Sequence, residues 1–378
     1  MFSARALFGA AGALALGLSV SACGWFDILG GTRHLGCGDF GADLKLEHGE
    51  GREVDYVVDC LAEVDAVELE IGEGVILEFA AGAGLTLGPA ARLTAVSIGA
   101  PTIVLRGTEP RRGYWKGLRF ETTGQGHARL LNVSISDAGA LTDPAFKGAL
   151  TVVGQVSLGS VQLRNIEGIG VWVDEAGLLT DFAAITIEGC SSYPVRVAPQ
   201  GMGHIERGNT YRDNAPDRIL VASGTIDTAV VPDPGVPYEI SGDIDIIGSL
   251  NLEDTNTWLM ADDVRLRVTG SLSTDRDGHV TFSALNRVRG AWQGLWIAVD
   301  NAPPESPLNL HDLTVEYAGG GTLFPANVSI ERGRVDLQDG FFQHSASCGV
   351  RYDQSSVELR DLGGNTFADN AGGDLCPQ

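Results

Sequence analysis

Hydrophobic residues along most of this chain alternate with polar residues in short runs. Apolar pairs spaced by two, such as Leu85 with Leu87 and Val133 with Ile135, recur every 10 to 17 residues and are separated by Gly, Asp, Asn, Thr or Pro. A period of two predicts short β-strands, and the separating residues predict turns. Beyond the N-terminus no amphipathic helical pattern exceeds about two turns, so the sequence predicts an all-β protein.

Part of the chain is repeated. Y-W-K-G-L at 114–118 returns as A-W-Q-G-L at 291–295, with the tryptophans 177 residues apart (292 − 115), and G-N-T-aromatic-x-D-N at 208–214 returns at 364–370, only 156 residues later (364 − 208). Three further pairs of equivalent segments are separated by offsets of 180 to 182 residues. They are 56–58 with 238–240, 85–87 with 266–268, and 131–135 with 311–315. The drop in offset means that the first copy carries roughly 24 residues that the second copy lacks.

A difference of about 24 residues that leaves both flanks in register indicates a structural unit of that length. Several strands in each unit of about 20 to 25 residues are typical of a solenoid, in which one coil buries its apolar face only by stacking on its neighbours. A propeller needs blades of about 40 to 45 residues and tandem sandwiches need domains of about 100, and neither explains the change in offset. The sequence therefore predicts a parallel β-helix of about 14 coils, with strands about 4.8 Å apart.

The N-terminus resembles a bacterial lipoprotein signal peptide, residues 1–22. Arg5 precedes an apolar stretch, and V-S-A at 20–22 leads to Cys23. The apolar run is too short for a permanent membrane span, and small residues before the cysteine suit a signal peptidase. The resemblance implies cleavage before Cys23, lipid on that residue and anchoring to a membrane, with an ordinary signal peptide and a chance cysteine as the alternative. Gly24 replaces the aspartate that would retain a lipoprotein at the inner membrane, so we expect the outer membrane or cell surface.

The mature chain is divided into three segments. Residues 23–51 are Gly-rich, lack alternation, and are predicted to form a tether and an N-terminal cap. The first half of the β-helix covers 52–231, and the second half with a C-terminal cap covers 232–378. The proline-rich stretch 216–237 is predicted to be irregular, but apolar alternation persists at 219–226, which favours one continuous helix over two separate domains.

The cysteine positions predict two disulfides, which an exported protein is able to form. The nearest pairs in sequence are Cys37 with Cys60 and Cys348 with Cys376, one pair at each end, where a solenoid frays and a crosslink helps most. Cys190 is then left as a free, buried thiol. The absence of C-x-x-C from the sequence argues against a zinc or redox site.

The repeated motifs resemble those of the right-handed parallel β-helix proteins of bacterial cell surfaces. The resemblance rests on W-x-G-L at 115–118 and 292–295, on the strand that follows each, and on the closing G-N-T-aromatic-x-D-N motif. The resemblance covers nearly all of residues 52–370 and implies a right-handed, single-stranded parallel β-helix with two tandem homologous halves in one continuous solenoid. These are motifs of coil geometry, so they specify a fold and not an activity.

Polysaccharide lyases and polygalacturonase-like hydrolases share this fold, but their motifs are incomplete here. The hydrolases use N-T-D, D-D, G-H-G and R-I-K to place carboxylates on both sides of a glycosidic bond. This chain has N-T-Y at 209–211, G-H-A at 126–128, and an aspartate pair at 262–263 without R-I-K. The lyase-like strand V-W-V-D-E at 171–175 lacks the histidine of W-I-D-H. The sequence therefore favours a non-catalytic protein, with a lyase or glycoside hydrolase of the pectin-lyase-like fold as the alternative.

No cofactor is predicted. The seven histidines contain no pair at metal-ligand spacing. Acidic turns such as Asp243 with Asp245 and Asp275 with Asp277 are candidate calcium ligands, but no glycine-rich nonapeptide repeat accompanies them.

Two aromatic residues are candidate glycan-stacking platforms, Trp115 and Trp292. Their equivalence in the two copies favours a repeated packing role at a coil corner instead. The same two interpretations apply to Trp172, Trp258, Trp296 and Tyr211. Asparagines are predicted to satisfy backbone groups at the corners, namely Asn132, Asn165, Asn209, Asn214, Asn365 and Asn370.

The charge balance excludes one class of partner. The chain has 49 acidic and 26 basic residues and a formal charge of −23. Nucleic acids and anionic lipids require concentrated positive charge, so we expect neither. The sequence favours a lipid-anchored, surface-facing rod that acts as a scaffold or binds a glycan or an envelope protein.

Overall fold

The computed structural model describes residues 31–99, 102–140, 142–274, 278–299, 307–322 and 325–378. The fold is nearly all β, with 3% helix, and its parallel strands stack as a β-solenoid of about 14 turns. This confirms the predicted parallel β-helix and its number of coils. The hand of the coil and its division into two homologous halves stay predictions, and the signal peptide with Cys23 lies outside the described residues.

The strands are short and follow one another closely. In chain order they are β1 (Arg33–Leu35), β2 (Leu44–Leu46), β3 (Tyr56–Val58), β4 (Leu61–Val64), β5 (Glu68–Ile71), β6 (Ile76–Phe79), β7 (Gly84–Leu87), β8 (Arg92–Val96), β9 (Ile103–Gly107), β10 (Gly117–Phe120), β11 (His127–Leu131), β12 (Val133–Ser136), β13 (Gly148–Val152), β14 (Gln155–Gly159), β15 (Gln162–Arg164), β16 (Ile169–Val173), β17 (Leu178–Ala183), β18 (Thr186–Glu188), β19 (Val195–Val197), β20 (Thr210–Arg212), β21 (Ile219–Val221), β22 (Gly224–Val231), β23 (Tyr238–Ile240), β24 (Ile244–Leu252), β25 (Thr257–Met260), β26 (Arg265–Val268), β27 (Ser271–Thr274), β28 (Val280–Ala284), β29 (Gly294–Ala298), β30 (Leu308–His311), β31 (Leu313–Glu316), β32 (Ala326–Gln338), β33 (Phe341–Gln343), β34 (Cys348–Tyr352), β35 (Val357–Asp361), β36 (Thr366–Ala368) and β37 (Gly373–Pro377). Within the described residues, two 3-10 helices cover Cys37–Gly41 and Pro199–His204.

Four parallel sheets form the faces of the solenoid. Sheet I runs from β4 to β36 through thirteen strands. In the first part of the chain each turn adds one strand to sheet II (β1 to β20), one to sheet I and one to sheet III (β2 to β17). From β22 onward, sheet IV replaces sheets II and III, and long strands such as β24 pair with two successive strands of the next turn. Sheet I therefore continues through the predicted irregular stretch.

Equivalent segments of the two sequence copies lie on different sheets. β3 and β20 belong to sheet II, whereas their sequence equivalents β23 and β36 belong to sheet I. The strand after the first W-x-G motif is in sheet I, and the strand after the second is in sheet IV. This change of sheet begins after β22. Residues 232–237 contain no strand, so the chain passes from β22 to β23 of sheet I without first adding a strand to sheet II. The second copy is thus displaced by one face around the solenoid.

Glycine in the W-x-G-L motif is required by close backbone approach. Gly117 and Gly294 have φ of +111° and +113°. A Cβ would lie 2.1 Å from the carbonyl oxygen of Ala149 at the first position and 2.3 Å from that of Ala326 at the second. Only glycine avoids both the strained backbone and the clash with the next turn.

Most of the predicted corner asparagines crosslink consecutive turns through backbone groups, whereas Asn165 donates to the side chain of Asp137 at 2.6 Å. Asn209 Oδ1 accepts from Ile185 N (2.8 Å), and Asn209 Nδ2 donates to Phe182 O (3.1 Å). Its sequence equivalent Asn365 accepts from Gly340 N (2.9 Å) and donates to Leu337 O (3.1 Å). Asn214 and Asn370 form the corresponding second pair. Each amide satisfies an NH and a CO that leave the strand ladder at a corner.

Both predicted disulfides are present. Cys37 is bonded to Cys60 and Cys348 to Cys376, while Cys190 is a free, buried thiol. The N-terminal part differs from the expected cap, because β1 and β2 already pair with sheets II and III before residue 52. The 3-10 helix Cys37–Gly41 packs against β4, so the described part of 23–51 is the first turn of the solenoid.

We predict that Asn209→Ala destabilises the protein more than Asn365→Ala. Asn209 is 9% exposed, so its removal leaves a buried NH and CO unpaired, at a cost of about 2–4 kcal/mol. Asn365 lies in the more exposed C-terminal turn, where water replaces the lost bonds and the cost is about 1 kcal/mol. Amide hydrogen exchange at Ile185 and Gly340, together with chemical denaturation, measures both effects. Equal losses in the two variants would contradict this account of the corners.

Candidate functional site

The sheet alternation places two tryptophans on the outside of the solenoid. Trp296 lies on β29 between Leu295 and Ile297, which are both 0% exposed. Trp172 occupies the corresponding outward position on β16, between Val171 and Val173. Both indole rings are half-buried by their neighbours on the sheet.

Trp296 forms the floor of a surface cavity of about 220 Å³, called here the Trp296 cavity. The indole is in register with Arg267 of β26 and Ser329 of β32. A segment between β31 and β32 forms one wall of the cavity. The lining residues are Asp263, Arg265, Gln293, Gly294, Leu295, Trp296, Gly320, Gly321, Thr322 and Ser329.

Cations hold the indole of Trp296 in place. The guanidinium carbons of Arg265 and Arg267 lie 5.3 Å and 5.0 Å from the ring centroid. Arg265 also pairs with Asp243 at 3.2 Å, and its backbone NH donates to the same carboxylate at 2.9 Å. Stacked cations of this kind restrict an aromatic side chain to one orientation.

Trp172 has a similar pair of cations but lies outside the Trp296 cavity. Lys147 Nζ lies 5.2 Å and the Arg196 guanidinium 4.4 Å from its ring centroid. Its Nε1 donates to Asp174 at 2.8 Å. Trp172 does not line the Trp296 cavity or either of the two concavities described next. It is therefore a natural comparison for Trp296.

A second concavity, the carboxylate groove, lies on the first part of the solenoid. It has a volume of about 420 Å³ and is lined by Glu63, Asp65, Glu121 and Asp143, together with Arg119 and Phe146 among others. Two of the carboxylates are paired, because Arg119 Nε donates to Glu121 and Lys116 Nζ donates to Asp143, each at 2.7 Å. The hydrogen bond from Lys116 is the main cause that lowers the pKa of Asp143, with a further contribution from the backbone NH of Ala145.

The third concavity, of about 550 Å³, is polar and lies on sheet IV. Its lining includes Thr274, Asn309, His311, Asp312 and Asp336. These groups bond mainly to one another or to the adjacent turn: Thr274 donates to His311 O at 2.9 Å, and Arg360 Nε donates to Asp336 at 2.6 Å. Their arrangement joins neighbouring turns and shows no convergence on a single point.

The tryptophans singled out as sugar platforms, Trp115 and Trp292, are core residues. Both are 0% exposed, and their Nε1 atoms donate to Ser136 O (2.7 Å) and Glu316 O (2.8 Å). Trp115 also stacks on Phe79 at 4.0 Å. Neither ring offers a face to a glycan, so the stacking hypothesis was wrong for these two and the packing interpretation describes them. Trp258 and Tyr211 are buried as well.

The remaining candidate ligands do not converge. Asp262 accepts from the Asn286 amide at 3.0 Å, while its neighbour Asp263 lines the Trp296 cavity. Asp243 is paired with Arg265, and the turn containing Asp275 and Asp277 lies outside the described residues. Among the residues that the structure describes, no group of three or more His, Cys, Asp or Glu could hold a metal ion, and no helix is long and apolar enough to cross a membrane.

The sequence alone did not predict the Trp296 cavity or the carboxylate groove. Trp296 had been considered as a platform, but Gly320, Gly321 and Thr322 come from a connecting segment about one turn further along the chain. Asp143 and Phe146 likewise come from the connection between β12 and β13. The usable signal was the strict alternation in L-W-I at 295–297 and V-W-V at 171–173, which predicts that both indoles face outward.

Replacement of Lys116 tests the electrostatics of the carboxylate groove. In Lys116→Gln the pKa of Asp143 rises toward its ordinary value, because the donor that stabilises the carboxylate is gone. Since the native pKa is lowered, the ion pair stabilises the fold above the titration range of the carboxyl group, and this contribution is lost as the pH falls through it. Carbon-13 NMR titration of labelled aspartate measures the shift. Lys147→Gln removes the partner of Asp174 instead and should leave Asp143 unchanged; a shift there of equal size would contradict the assignment.

Comparison with known proteins gives no match. No protein-family model matches the chain, and neither a curated protein nor a solved structure matches it. The function of this chain therefore has to be inferred from its own residues and their geometry.

Proposed function

We propose that this protein is a lipid-anchored rod of the bacterial outer membrane or cell surface that binds a glycan without cleaving it. The Trp296 cavity carries the proposal. It combines an oriented indole with hydrogen-bonding side chains of both kinds, the donors of Arg265 and the acceptors of Asp263. An aromatic surface next to convergent polar groups is the usual composition of a small-ligand site, and sugars present both apolar C–H faces and hydroxyl groups.

Two features support a place outside the cytoplasm. The two disulfides at the ends of the solenoid belong to an oxidising compartment. The N-terminal sequence ending in V-S-A-C at 20–23 resembles a lipoprotein signal. Lipid on Cys23 would anchor the rod by one end and leave the solenoid in the aqueous phase.

The solenoid gives such a protein length and rigidity. With about 14 turns and about 4.8 Å between strands, the stack is about 65 Å long. A site on a sheet is held more firmly than a site on a loop. The Trp296 cavity lies on β29, well beyond the midpoint of the chain, so the rod would hold it away from the anchored end.

The chemistry of the carboxylate groove favours binding over hydrolysis. A glycosidase needs a carboxylic acid whose pKa is raised, so that it can protonate the leaving oxygen. The pKa of Asp143 is instead lowered by Lys116, and Glu121 is paired with Arg119. The four carboxylates of this groove are nevertheless the observation that supports the alternative, a polysaccharide-degrading lyase or hydrolase.

Lipidation is tested by replacing the acceptor. In the native bacterium we expect the wild-type protein to incorporate an alkyne-labelled fatty acid and to fractionate with the membrane. Cys23→Ala should lose the label and the lipid-dependent partitioning, because no thiol is left to carry the acyl group. Gly24→Ala retains the thiol and serves as the control. A wild-type protein without label would refute the anchor.

The choice between rod and enzyme is tested with polymers. The soluble domain that lacks the lipidated cysteine, Gly24 to Gln378, is incubated with neutral and acidic polysaccharides, with and without calcium. We expect retention of the protein on at least one polymer by affinity electrophoresis and an unchanged polymer length by size-exclusion chromatography. Shortened chains would make the protein an enzyme, and loss of cleavage in Asp143→Asn would place its site in the carboxylate groove. Absence of both binding and cleavage would leave an envelope protein as the remaining class of partner.

A further inference from the structure

We propose that the Trp296 cavity binds one uncharged pyranose ring, so that the ligand of the rod is a neutral glycan and not an acidic one. This inference rests on the proposed function and specifies its ligand class. It follows from the size of the cavity, from the balance of charges around it, and from the contrast with Trp172.

The size of the cavity limits the ligand to one ring. Its volume is about 220 Å³, below the range of about 300–1,000 Å³ that holds a drug-sized molecule. The Gly320–Gly321 backbone closes one side, and a Cβ at Gly320 would lie 2.2 Å from Gly290 O, so this wall is fixed against the neighbouring turn. A single terminal or branch sugar unit fits, while the rest of a polymer would lie along the open surface.

Polar groups around the indole suit hydroxyls. Gln293 donates its Nε2 to the backbone oxygen of Asp263 at 2.9 Å, which leaves its side-chain oxygen as an acceptor beside the cavity. Arg265 supplies donors, and Thr322 supplies a hydroxyl that both donates and accepts. A ring with several hydroxyl groups satisfies such a mixed set, whereas a purely apolar ligand would desolvate it without compensation.

Charge balance argues against an acidic sugar. Arg265 is already paired with Asp243 at 3.2 Å, and the carboxylate of Asp263 lines the same cavity. Arg267 stacks on Trp296 and lies in register with Asp245 of the neighbouring strand. A carboxylated ring would be attracted by the Arg267 guanidinium, but it would be repelled by Asp263 at close range and by a protein of formal charge −23 at long range.

Trp172 provides a matched control within the same chain. It is an outward, half-buried tryptophan with two cations near its ring, as Trp296 is, but it lines none of the cavities described. If an indole with two cations near its ring were sufficient for glycan binding, replacement of Trp172 and of Trp296 would weaken binding equally. Because only Trp296 lines the cavity, we expect only its replacement to weaken glycan binding.

The test compares three variants of the mature lipoprotein in mild detergent. Affinity electrophoresis through gels of dextran, galactomannan or xyloglucan probes neutral polymers, and polygalacturonate and alginate probe acidic ones. We expect retention by at least one neutral polymer, little dependence on salt, and inhibition by free neutral monosaccharide. Trp296→Ala should weaken binding at least about tenfold, and Trp172→Ala should leave it within about twofold.

A variant that fills the Trp296 cavity distinguishes a loss of the binding site from a loss of folding. Gly321 has no positive φ, and a Cβ there would meet only Gln293 at 3.5 Å, an ordinary contact. Gly321→Leu should therefore fold normally, as measured by thermal denaturation, and yet lose binding because its side chain occupies the cavity.

Four results would overturn the inference. Salt-sensitive binding to acidic polymers alone would show that the ligand is charged and leave the glycan-binding rod intact. Equal weakening by Trp172→Ala and Trp296→Ala, or full binding by a folded Gly321→Leu, would place the site elsewhere. Absence of binding to any polymer would refute glycan binding itself and with it the proposed function.

Discussion

Stacking of parallel strands from turn to turn is the constraint on which this structure depends. Leu85, Leu118, Leu150 and Val171 stand in register on four successive turns, and each is at most 1% exposed. No turn contains its own hydrophobic core, because every inward side chain is covered by those above and below it. The backbone obeys the same rule, since each strand finds its hydrogen-bond partners only in adjacent turns. Corners, ends and irregular turns must therefore be stabilised by other means.

The asparagines, glycines and buried tryptophans supply those means at the corners. Asn209 and Asn365 bond backbone groups of the preceding turn, and Gly117 and Gly294 allow the next turn to approach. Trp115 and Trp292 donate to backbone oxygens about one turn away. The residues present in both sequence copies are thus those that allow one turn to stack on the next. Outward residues are free of this constraint, and the equivalent outward positions differ: Arg119 in one copy corresponds to Trp296 in the other.

The sequence was most informative where one residue type has one local role. Alternation predicted the strands, the nearest cysteines predicted both disulfides, and the corner role was assigned correctly to Asn209, Asn214, Asn365 and Asn370. Trp115 and Trp292 precede a glycine at a corner, where alternation does not define inside and outside, so their burial was not decided by pattern. The prolines in 232–237 predicted that this segment is irregular, but the resulting displacement of the second copy by one face depends on how the following strands pair, which no local pattern encodes. The Trp296 cavity needs a segment from the following turn, and its position is set by packing across the solenoid.

The positions of the disulfides determine how the rod responds to mechanical load. A pull on the N-terminal segment reaches Cys37 and passes through the sulfur bridge to Cys60, so β2 and β3 inside that loop carry no tension. At the far end the bridge from Cys348 to Cys376 shields β35 and β36 in the same way. While the sulfur bonds hold, peeling, the route by which a stack of strands comes apart one at a time, does not open the two bridged loops. Beyond the bridges the tension next reaches β4 at one end and β33 at the other, so in a rod pulled by its ends the bridged loops stay closed while the strands beyond them separate.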